Sequence, residues 1–279
     1  MVSSIFITGA SSGIGLASAK LFFKAGWAVI ATMRSPESAV ELKQLDPSRM
    51  LLERVDLLEP GTIEPAINAA IKKFGKIDVV LNNAGFGQYG VFEMMPPEKI
   101  REQFDVNLFG VMNVTRTILP HLRAQKSGCI INVSSGAGLY ALPLSTMYCA
   151  SKFALEGFTE ALSYELATHN ILVKSVIPHS GITSTSFADT AKTRVPMDPT
   201  LAPAYGEYLG KVIQKFESME AGRSVSSDDV AKVIYTASTD GTDKLRYLVG
   251  TDEYGSIKAR YGSKSDEEYM KHMRSVFNE

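Results

Sequence analysis

Tyr148 and Lys152 are the residues of this chain whose types and spacing point most directly to chemistry. They lie in segment 147–168, whose alanine, leucine, phenylalanine and glutamate content and apolar spacing predict a helix. On a helix, side chains four residues apart share one face. An ammonium group beside a phenol favours the phenolate, so the pair predicts a Tyr148 pKa below ~10 and a general acid or base. The pair alone is also typical of a packed tyrosine and a solvated lysine on an amphipathic helix.

A glycine-rich turn near the start of the chain is the second signal. Segment 4–15 reads Ser-Ile-Phe-Ile-Thr-Gly-Ala-Ser-Ser-Gly-Ile-Gly, so an apolar strand ends in glycines, and a helical pattern follows. Gly9 permits a tight exit from the strand, Gly13 lets the backbone approach a pyrophosphate, and Gly15 lets the helix pack near the sheet. The anion would lie at the helix N-terminus, beside unpaired N–H groups. An ordinary glycine-rich turn between a strand and a helix is the alternative.

Length and charge limit the class of protein. A chain of 279 residues that is 45% hydrophobic can form one large α/β domain or two small ones. The sequence contains no linker, repeat or low-complexity tract, which favours a single domain over 1–279. Lys and Arg number 29 against 30 Asp and Glu, without long blocks of one sign. Neither nucleic acid nor an anionic membrane is therefore an expected partner.

Cysteine content and hydropathy indicate the metal content and the location to expect. Cys129 and Cys149 are too few and too isolated for a disulfide framework or a zinc site, and no metal is expected. The sequence shows neither a secretion signal nor a run of ~18 apolar residues. We therefore expect a cytoplasmic protein.

Apolar strand patterns and helical patterns alternate along the chain. Strands are predicted at 4–8, 27–33, 50–55, 77–81, 128–133, 172–177 and 247–249, and helices at 14–24, 36–44, 62–74, 97–123, 147–168 and 227–237. This alternation predicts an α/β fold, a doubly wound parallel sheet of about seven strands with helices on both faces. Ligands bind such sheets beyond the carboxyl ends of the strands. Six loops that follow predicted strands converge on one crevice, and they carry Gly9 to Gly15, Arg34, Asp56, Asn82 to Gly85, Ser134 with Ser135, and Pro178.

Three motifs occur in the order and at the separations of one family. They are Thr8-Gly9-x-x-x-Gly13-x-Gly15, Asn82-Asn83-Ala84-Gly85 and Tyr148-x-x-x-Lys152. With them, the chain resembles the classical short-chain dehydrogenase/reductase family over nearly its whole length. The resemblance implies a Rossmann fold and hydride transfer between a nicotinamide cofactor and a carbonyl or alcohol. Segment 148–157 resembles the steroid- and retinoid-oxidising branch, whose sequence is shared by carbonyl reductases of broad specificity.

The resemblance also implies a set of catalytic residues. Its serine-to-tyrosine spacing selects Ser135 over Ser134 as the group that polarises the substrate carbonyl, while Tyr148 donates a proton. Lys152 would lower the Tyr148 pKa and hold the nicotinamide ribose. Asn107 matches the family's catalytic asparagine, which would kink its helix and hold a water between Lys152 and solvent. A side chain bonded only within its helix is the alternative for Asn107.

The choice of cofactor depends mainly on the end of the second strand. Met33 occupies the place where an acidic residue would indicate NAD, and Arg34 follows it. An arginine fork suits a 2'-phosphate, so we predict NADPH/NADP+, with Ser35 or Ser11 assisting. Ser12 stands where many NADP-using relatives carry a basic residue. A solvated Arg34 with little selectivity is the alternative.

Other cofactor contacts follow from the same resemblance. Asp56 would accept a hydrogen bond from the adenine amino group, or else cap a helix. His179 replaces the glycine that usually follows Pro178, and we interpret it as a loop histidine. The predicted cofactor residues are Gly9, Ser11, Ser12, Gly13, Ile14, Gly15, Arg34, Ser35, Asp56, Leu57, Asn83, Ala84, Gly85, Tyr148, Lys152, Pro178, Ile182 and Thr183.

The substrate site is predicted to be apolar. Its candidate residues are Phe86, Gln88, Ser135, Leu139, Tyr140, Leu142, Pro143 and Tyr148. Segment 183–222 is long enough for a lid with its own short helices, and a C-terminal extension follows residue 250. These features favour a bulky or hydrophobic ketone, aldehyde or alcohol over a sugar phosphate.

The leading hypothesis is an NADPH-dependent carbonyl reductase that is reversible as an alcohol dehydrogenase. A nucleotide-sugar epimerase or dehydratase also uses tyrosine and lysine at this spacing, although its relatives have a different glycine spacing. A non-catalytic nucleotide-binding sensor or scaffold is the third hypothesis. The predicted helices 97–123 and 147–168 are the family's usual dimerisation surfaces, so a homodimer or homotetramer is expected.

Overall fold

Seven apolar segments form one parallel sheet in the computed structural model, which describes residues 2–179, 182–183, 198, 200–220 and 225–277. The strands of this sheet are β1 (Ser4–Thr8), β2 (Ala28–Met33), β3 (Met50–Arg54), β4 (Val79–Asn82), β5 (Gly128–Val133), β6 (Ile171–Pro178) and β9 (Arg246–Val249). Their order is β3-β2-β1-β4-β5-β6-β9. The two remaining strands, β7 (Ile182–Thr183) and β8 (Val225–Ser226), pair with each other. The predicted doubly wound parallel sheet is confirmed.

Helices cover both faces of this sheet. They are α1 (Gly13–Lys24), α2 (Val40–Lys43), α3 (Ile63–Phe74), α4 (Pro97–Phe104), α5 (Val111–Gln125), α6 (Thr146–Ala167), α7 (Ala202–Glu220), α8 (Ser227–Thr239), α9 (Ser256–Gly262) and α10 (Asp266–Phe277). Ile5 and Ile7 of β1 pack with α1 and α8, whereas Phe6 between them packs with α3, α5 and α6. Because successive strand side chains point to opposite faces, the apolar run of β1 contributes to both cores.

Two predicted helices are interrupted. The pattern at 36–44 predicts one helix, but a 3-10 turn, Pro36–Ser38, is separated from α2 by Ala39, whose ψ of 61° is not helical. The pattern at 97–123 also predicts one helix, whereas a π-helical segment, Asp105–Gly110, separates α4 from α5. Apolar periodicity reports which face is buried and does not detect a local change of helical winding.

The predicted lid is described in part. Residues 184–197, 199 and 221–222 of the predicted segment 183–222 lie outside the described residues. Helix α7 packs Leu209 and Val212 against Val91 and Met94, in the chain segment between β4 and α4. Within the described part of the chain, no helix is both long enough and apolar enough to cross a membrane.

Candidate active site

The glycine turn after β1 packs closely against the turn after β4. Gly9 has φ +69°, a left-handed conformation that favours glycine, and a Cβ atom there would lie 2.8 Å from the Cα of Ala84. A Cβ atom at Gly15 would lie 2.2 Å from the carbonyl oxygen of Gly9. A side chain at either position would push the turn out of place, so both positions require glycine.

Hydrogen bonds also hold these two turns together. Asn83 Nδ2 donates to the carbonyl oxygens of Thr8 (3.0 Å) and Gly9 (3.1 Å). Thr8 Oγ1 accepts from the backbone N–H groups of Asn83 (3.0 Å) and Ala84 (3.1 Å). The asparagine-rich turn therefore fixes the backbone of the glycine turn, a structural task that its predicted role at the ribose did not include.

A cavity of about 510 Å³ lies at the carboxyl ends of the strands, where the sequence predicted a ligand site. The predicted site residues that line it are Gly9, Ser11, Ser12, Ile14, Arg34, Asp56, Leu57, Asn83, Ala84, Gly85, Phe86, Ser135, Tyr140, Leu142, Tyr148, Lys152, Pro178 and Ile182. Gly13, Gly15 and Ser35 lie outside the lining that the described residues form: the two glycines lie within α1, and Ser35 is exposed beyond Arg34. The side chain of Thr183 lies outside the described residues.

Tyr148, Lys152 and Ser135 meet inside this cavity. Tyr148 and Lys152 lie on α6 and are 7% and 6% exposed. A side-chain hydrogen bond joins Tyr148 to Ser135, which follows β5. Ser134 is buried as well, but its hydroxyl has no hydrogen-bond partner among the described residues. The structure thus brings Ser135, the serine selected by its spacing, to the tyrosine.

The predicted lowering of the Tyr148 pKa is wrong in this structure. Burial raises the pKa of Tyr148 well above its ordinary value, and the hydrogen bond with Ser135 lowers it only in part. The Lys152 ammonium donates to the carbonyl oxygen of Val133 (2.9 Å) and lies 5.9 Å from the centre of the Tyr148 ring. Desolvation of the phenolate is the largest influence on this pKa, and Tyr148 is protonated at neutral pH.

Lys152 is itself perturbed by its surroundings. Burial lowers its pKa to about 8, and the negative charge of Glu156 acts in the opposite direction. A buried ammonium requires hydrogen bonds or opposite charge, because removing it from water costs free energy. Lys152 therefore keeps its positive charge at neutral pH, with a small margin.

Asn107 lies in the π-helical segment between α4 and α5. Its Oδ1 accepts from the backbone N–H of Phe86 (3.0 Å), and its Nδ2 donates to the Phe86 carbonyl (2.8 Å) and to Ser151 Oγ (3.3 Å). The alternative of a side chain bonded only within its own helix is therefore wrong. Asn107 lies outside the described cavity lining, but a Cβ atom at Gly85 would lie 3.2 Å from Asn107 Oδ1 and 3.8 Å from Lys152 Nζ.

The end of β2 presents a buried methionine and an exposed arginine to the cavity. Met33 is 3% exposed, Arg34 is exposed, and both line the cavity. Asp56, on the neighbouring strand end, accepts the backbone N–H of Leu58 at Oδ1 (3.0 Å). This edge of the cavity thus offers one carboxylate and one guanidinium.

Three predicted substrate residues lie outside the described lining. Gln88 is fully buried and donates from Nε2 to the carbonyl oxygen of Lys99 (2.7 Å). Leu139 packs against α10, and the Pro143 carbonyl accepts from Ser145 Oγ (3.2 Å). Proximity in sequence to the catalytic residues does not determine which side of the loop a side chain occupies.

A family model described as short chain dehydrogenase matches residues 3–195. The chain belongs to this family. This short-chain dehydrogenase is 35% identical over 250 residues to an uncharacterised oxidoreductase of Bacillus subtilis, YusZ, and the match covers 88% of each chain. It is an oxidoreductase, and interconversion of a carbonyl and an alcohol with a nicotinamide cofactor is the chemistry of such enzymes.

Two solved structures are similar to this short-chain dehydrogenase. A short-chain dehydrogenase from Streptomyces avermitilis has 28% identity and a TM-score of 0.79, with 99% of this chain and 93% of that chain covered. A 3-ketoacyl-(acyl-carrier-protein) reductase from Brucella melitensis, complexed with NADH, has 26% identity and a TM-score of 0.72 over 88% of this chain and 96% of that chain.

The residues of this short-chain dehydrogenase fit a dinucleotide. Helix α1 begins at the cavity with Ser12 as its N-cap, which makes no side-chain capping bond, and the first turn carries no acidic residue. The N–H groups of this turn are therefore available to an anion, and the dipole of α1 favours one. The close packing at Gly9 and Gly15 holds the turn in the shape that leaves this end of α1 open.

Sequence reasoning missed several residues of the site. Tyr89 and Glu102 line the cavity, although neither belongs to a motif. His179 also lines it, half-buried, and burial lowers its pKa from the ordinary value while Asp252 raises it. The departure of His179 from the family pattern was the only sequence signal for these three.

Proposed function

We propose that this short-chain dehydrogenase catalyses the reversible, NADPH-dependent reduction of a bulky or hydrophobic ketone or aldehyde to an alcohol. The observation that carries this proposal is the hydrogen-bonded pair of Ser135 and Tyr148 in the cavity that begins at the glycine turn. A hydroxyl pair beside a dinucleotide site suits proton donation to a carbonyl oxygen.

The chain's residues divide the chemical work. NADPH, when bound, supplies the hydride. Ser135 would hydrogen-bond the carbonyl oxygen and polarise it, and Tyr148 would transfer its phenolic proton to that oxygen. Because burial raises the Tyr148 pKa, the tyrosine carries this proton at neutral pH. The buried Lys152 ammonium would stabilise the phenolate that remains and bind the nicotinamide ribose.

Arg34 supports NADPH over NADH. It is exposed, lines the cavity and follows Met33, so no carboxylate occupies the end of β2 to repel a 2'-phosphate. A planar guanidinium can bind phosphate oxygens in a bidentate manner.

The cavity wall supports a hydrophobic substrate. Phe86, Leu142, Tyr140 and Tyr89 line the cavity together with Tyr148. Aromatic and aliphatic side chains of this kind favour an apolar substrate body, whereas a few hydroxyl groups orient its carbonyl. A carbonyl compound with an aryl, cyclic or long aliphatic body fits this description best.

Absorbance of NADPH against a panel of aryl, cyclic, steroidal and aliphatic carbonyls tests the reaction. The wild-type protein should consume NADPH with at least one hydrophobic member, and Tyr148→Phe should abolish turnover while NADPH binding is kept. Tyr164→Phe is the matched control, because Tyr164 lies on the same helix with 70% exposure. Near-normal rates in Tyr148→Phe would show that another group donates the proton. NADPH binding without turnover across the panel would favour the sensor hypothesis.

Comparison of kcat/KM with NADPH and NADH tests the cofactor assignment. Arg34→Ala should weaken NADPH use far more than NADH use. Arg54→Ala is the control, because Arg54 ends the neighbouring strand β3 and pairs with Glu59 (2.9 Å) instead of lining the cavity. A wild-type preference for NADH would refute the assignment.

The proposal also covers the domain, the lid, the cellular location and the subunit number of the protein. We propose one domain over 1–279, a lid that includes α7, a cytoplasmic location, and a homodimer or homotetramer formed through α4, α5 and α6. Light scattering coupled to size-exclusion chromatography measures the subunit number directly, and a monomer at micromolar concentration would refute the last of these.

A further inference from the structure

Four chemically active side chains follow one another at four-residue intervals along α6. They are Tyr148, Lys152, Glu156 and Glu160. This spacing makes each of these side chains the neighbour of the next on the helix surface. The first two belong to the proposed reaction, whereas the two glutamates have no role in it. Glu156 is 5% exposed, and a buried carboxylate requires an explanation.

Two neighbouring strands hold the Glu156 carboxylate in place. Ser175 on β6 donates its hydroxyl to Glu156 Oε1, and Arg246 on β9 donates from Nε to Glu156 Oε2 (2.7 Å). Ser175 and Arg246 are register partners in the parallel pair of β6 and β9. Both oxygens of the carboxylate are thus fixed by one position of the sheet, one turn of α6 beyond Lys152.

The charges of this cluster do not cancel. Arg246 also donates to Glu160 Oε2 (2.6 Å), so one guanidinium serves two carboxylates. The cluster formed by Glu156, Glu160 and Arg246 therefore carries a net negative charge that begins one helical turn beyond Lys152. Since the Glu160 side chain is 42% exposed and Glu156 is buried, water screens the charge of Glu160 more strongly.

The other ionisable groups near Lys152 have partners of their own, lie on the opposite face of the sheet or line the cavity. Lys174 on β6 points to the opposite face of the sheet, where it pairs with Asp240 (2.7 Å). The ionisable groups that line the cavity with Lys152 are Tyr148, Tyr89, His179 and Glu102, which pairs with Lys99. Cys149 lies beside Tyr148 on α6, and Asp105, in the π-helical segment that packs on α6, is exposed. Among the residues that the structure describes, Glu156 is the acidic group whose charge acts on Lys152.

We propose that Glu156 is a positioning residue, whose carboxylate, fixed by Ser175 and Arg246, maintains the positive charge of Lys152 beside Tyr148. This inference rests on the proposed function for its catalytic consequence, but the charge state of Lys152 is a property of the protein alone. Glu156 touches neither substrate nor cofactor in this scheme and acts through Lys152.

The direct test is an NMR titration of protein labelled with 13C at the lysine Cε, with the Lys152 signal assigned from a Lys152→Arg variant. Glu156→Gln keeps the size of the side chain and an oxygen acceptor but removes the charge, so the Lys152 pKa should fall by about 1. Glu160→Gln is the matched control, because Glu160 is the next of the four side chains along α6, and it should change the Lys152 pKa by less than about 0.3. Arg246→Gln should raise it, because a positive charge is removed from the cluster.

Opposite shifts in the Glu156 and Arg246 variants distinguish an electrostatic role from a structural one, which would impair both variants in the same way. In the carbonyl assay, the alkaline limb of the kcat profile should move about one pH unit toward acid in Glu156→Gln. A folded Glu156→Gln protein with an unchanged Lys152 pKa would overturn the inference. If that variant does not fold, an unchanged or lowered Lys152 pKa in Arg246→Gln overturns it. The titration decides this even when the carbonyl panel shows no turnover, which would refute the proposed function alone.

Discussion

Replacing Gly15 by alanine should destabilise the protein through the contact between the two turns of the site. The added Cβ would lie 2.2 Å from the Gly9 carbonyl oxygen and 2.6 Å from Asn83 Nδ2. Relief of the first contact alone requires a movement of about 1 Å, since C···O contacts lie near 3.3 Å. Overpacking of this kind costs about 1–3 kcal/mol. The two hydrogen bonds from Asn83 Nδ2 to Thr8 and Gly9 are worth about 1 kcal/mol each, so we expect a total loss of about 3–5 kcal/mol.

Urea denaturation followed by circular dichroism measures this loss as a fall in the free energy of unfolding. Gly210→Ala is the matched control, because Gly210 lies within α7 and a Cβ there meets no atom within 4 Å. Alanine in a helix interior should stabilise the protein by about 0.5–1 kcal/mol. Equal unfolding free energies for Gly15→Ala and the wild type would refute the argument that steric contact requires glycine at the turn. A Gly15→Ala protein of reduced stability should also bind NADPH more weakly.

Three further predictions concern helix capping, acid stability and the C-terminal helix. Ser226→Ala removes the capping box with Asp229 at the start of α8 and should cost about 1 kcal/mol in urea denaturation; an unchanged midpoint contradicts this. Burial raises the pKa of Asp240, but hydrogen bonds from Lys174 and Tyr247 lower it, and the net pKa lies below the ordinary 3.8. The ionised Asp240 therefore stabilises the folded protein above about pH 4, and this stabilisation is lost as the pH falls. Asp240→Asn should therefore lower the melting temperature at pH 7 and reduce its further decrease below about pH 4, measured by thermal unfolding across pH. If the melting temperatures of the variant and the wild type run parallel across pH, the Lys174–Asp240 pair does not contribute to acid stability. Phe277→Ala, which removes a buried ring of α10 from the cluster beside the substrate wall, should raise KM for the carbonyl more than KM for NADPH; an equal change in both constants would point to general destabilisation.

The sequence predicted the sheet and the convergence of its loops because both depend on local signals. Apolar runs mark the strands, and parallel strands place their carboxyl ends together. Tyr148 and Ser135, thirteen residues apart, therefore meet in the cavity as expected. The direction of the Tyr148 pKa was predicted wrongly because spacing reveals the nearby lysine but not the degree of burial, and burial dominates.

Contacts between distant segments were beyond the reach of the sequence. Ser175 and Arg246 become neighbours only through the register of β6 and β9, and no motif marks either residue. The hydrogen bonds of Asn107 to Phe86 likewise join a helix to a loop twenty-one residues earlier in the chain. Gln88 lies outside the cavity lining because its side-chain amide donates to the Lys99 carbonyl of helix α4. Such outcomes depend on how the tertiary structure distributes buried polar groups.

The π-helical segment Asp105–Gly110 changes the rotational phase of the polypeptide between α4 and α5. A π-bulge accommodates one residue more than a regular α-helix, and one residue corresponds to about 100° of turn. The surfaces before and after it are consequently aimed at different neighbours: α4 packs on α6, and α5 packs on α3 and β5. Deletion of one residue from this segment would give a more regular α-helix. It would also rotate either Asn107 or the whole of α5 away from the residues that it contacts now. The π-helical segment thus allows α5 to pack on the sheet while Asn107 stays hydrogen-bonded to Phe86.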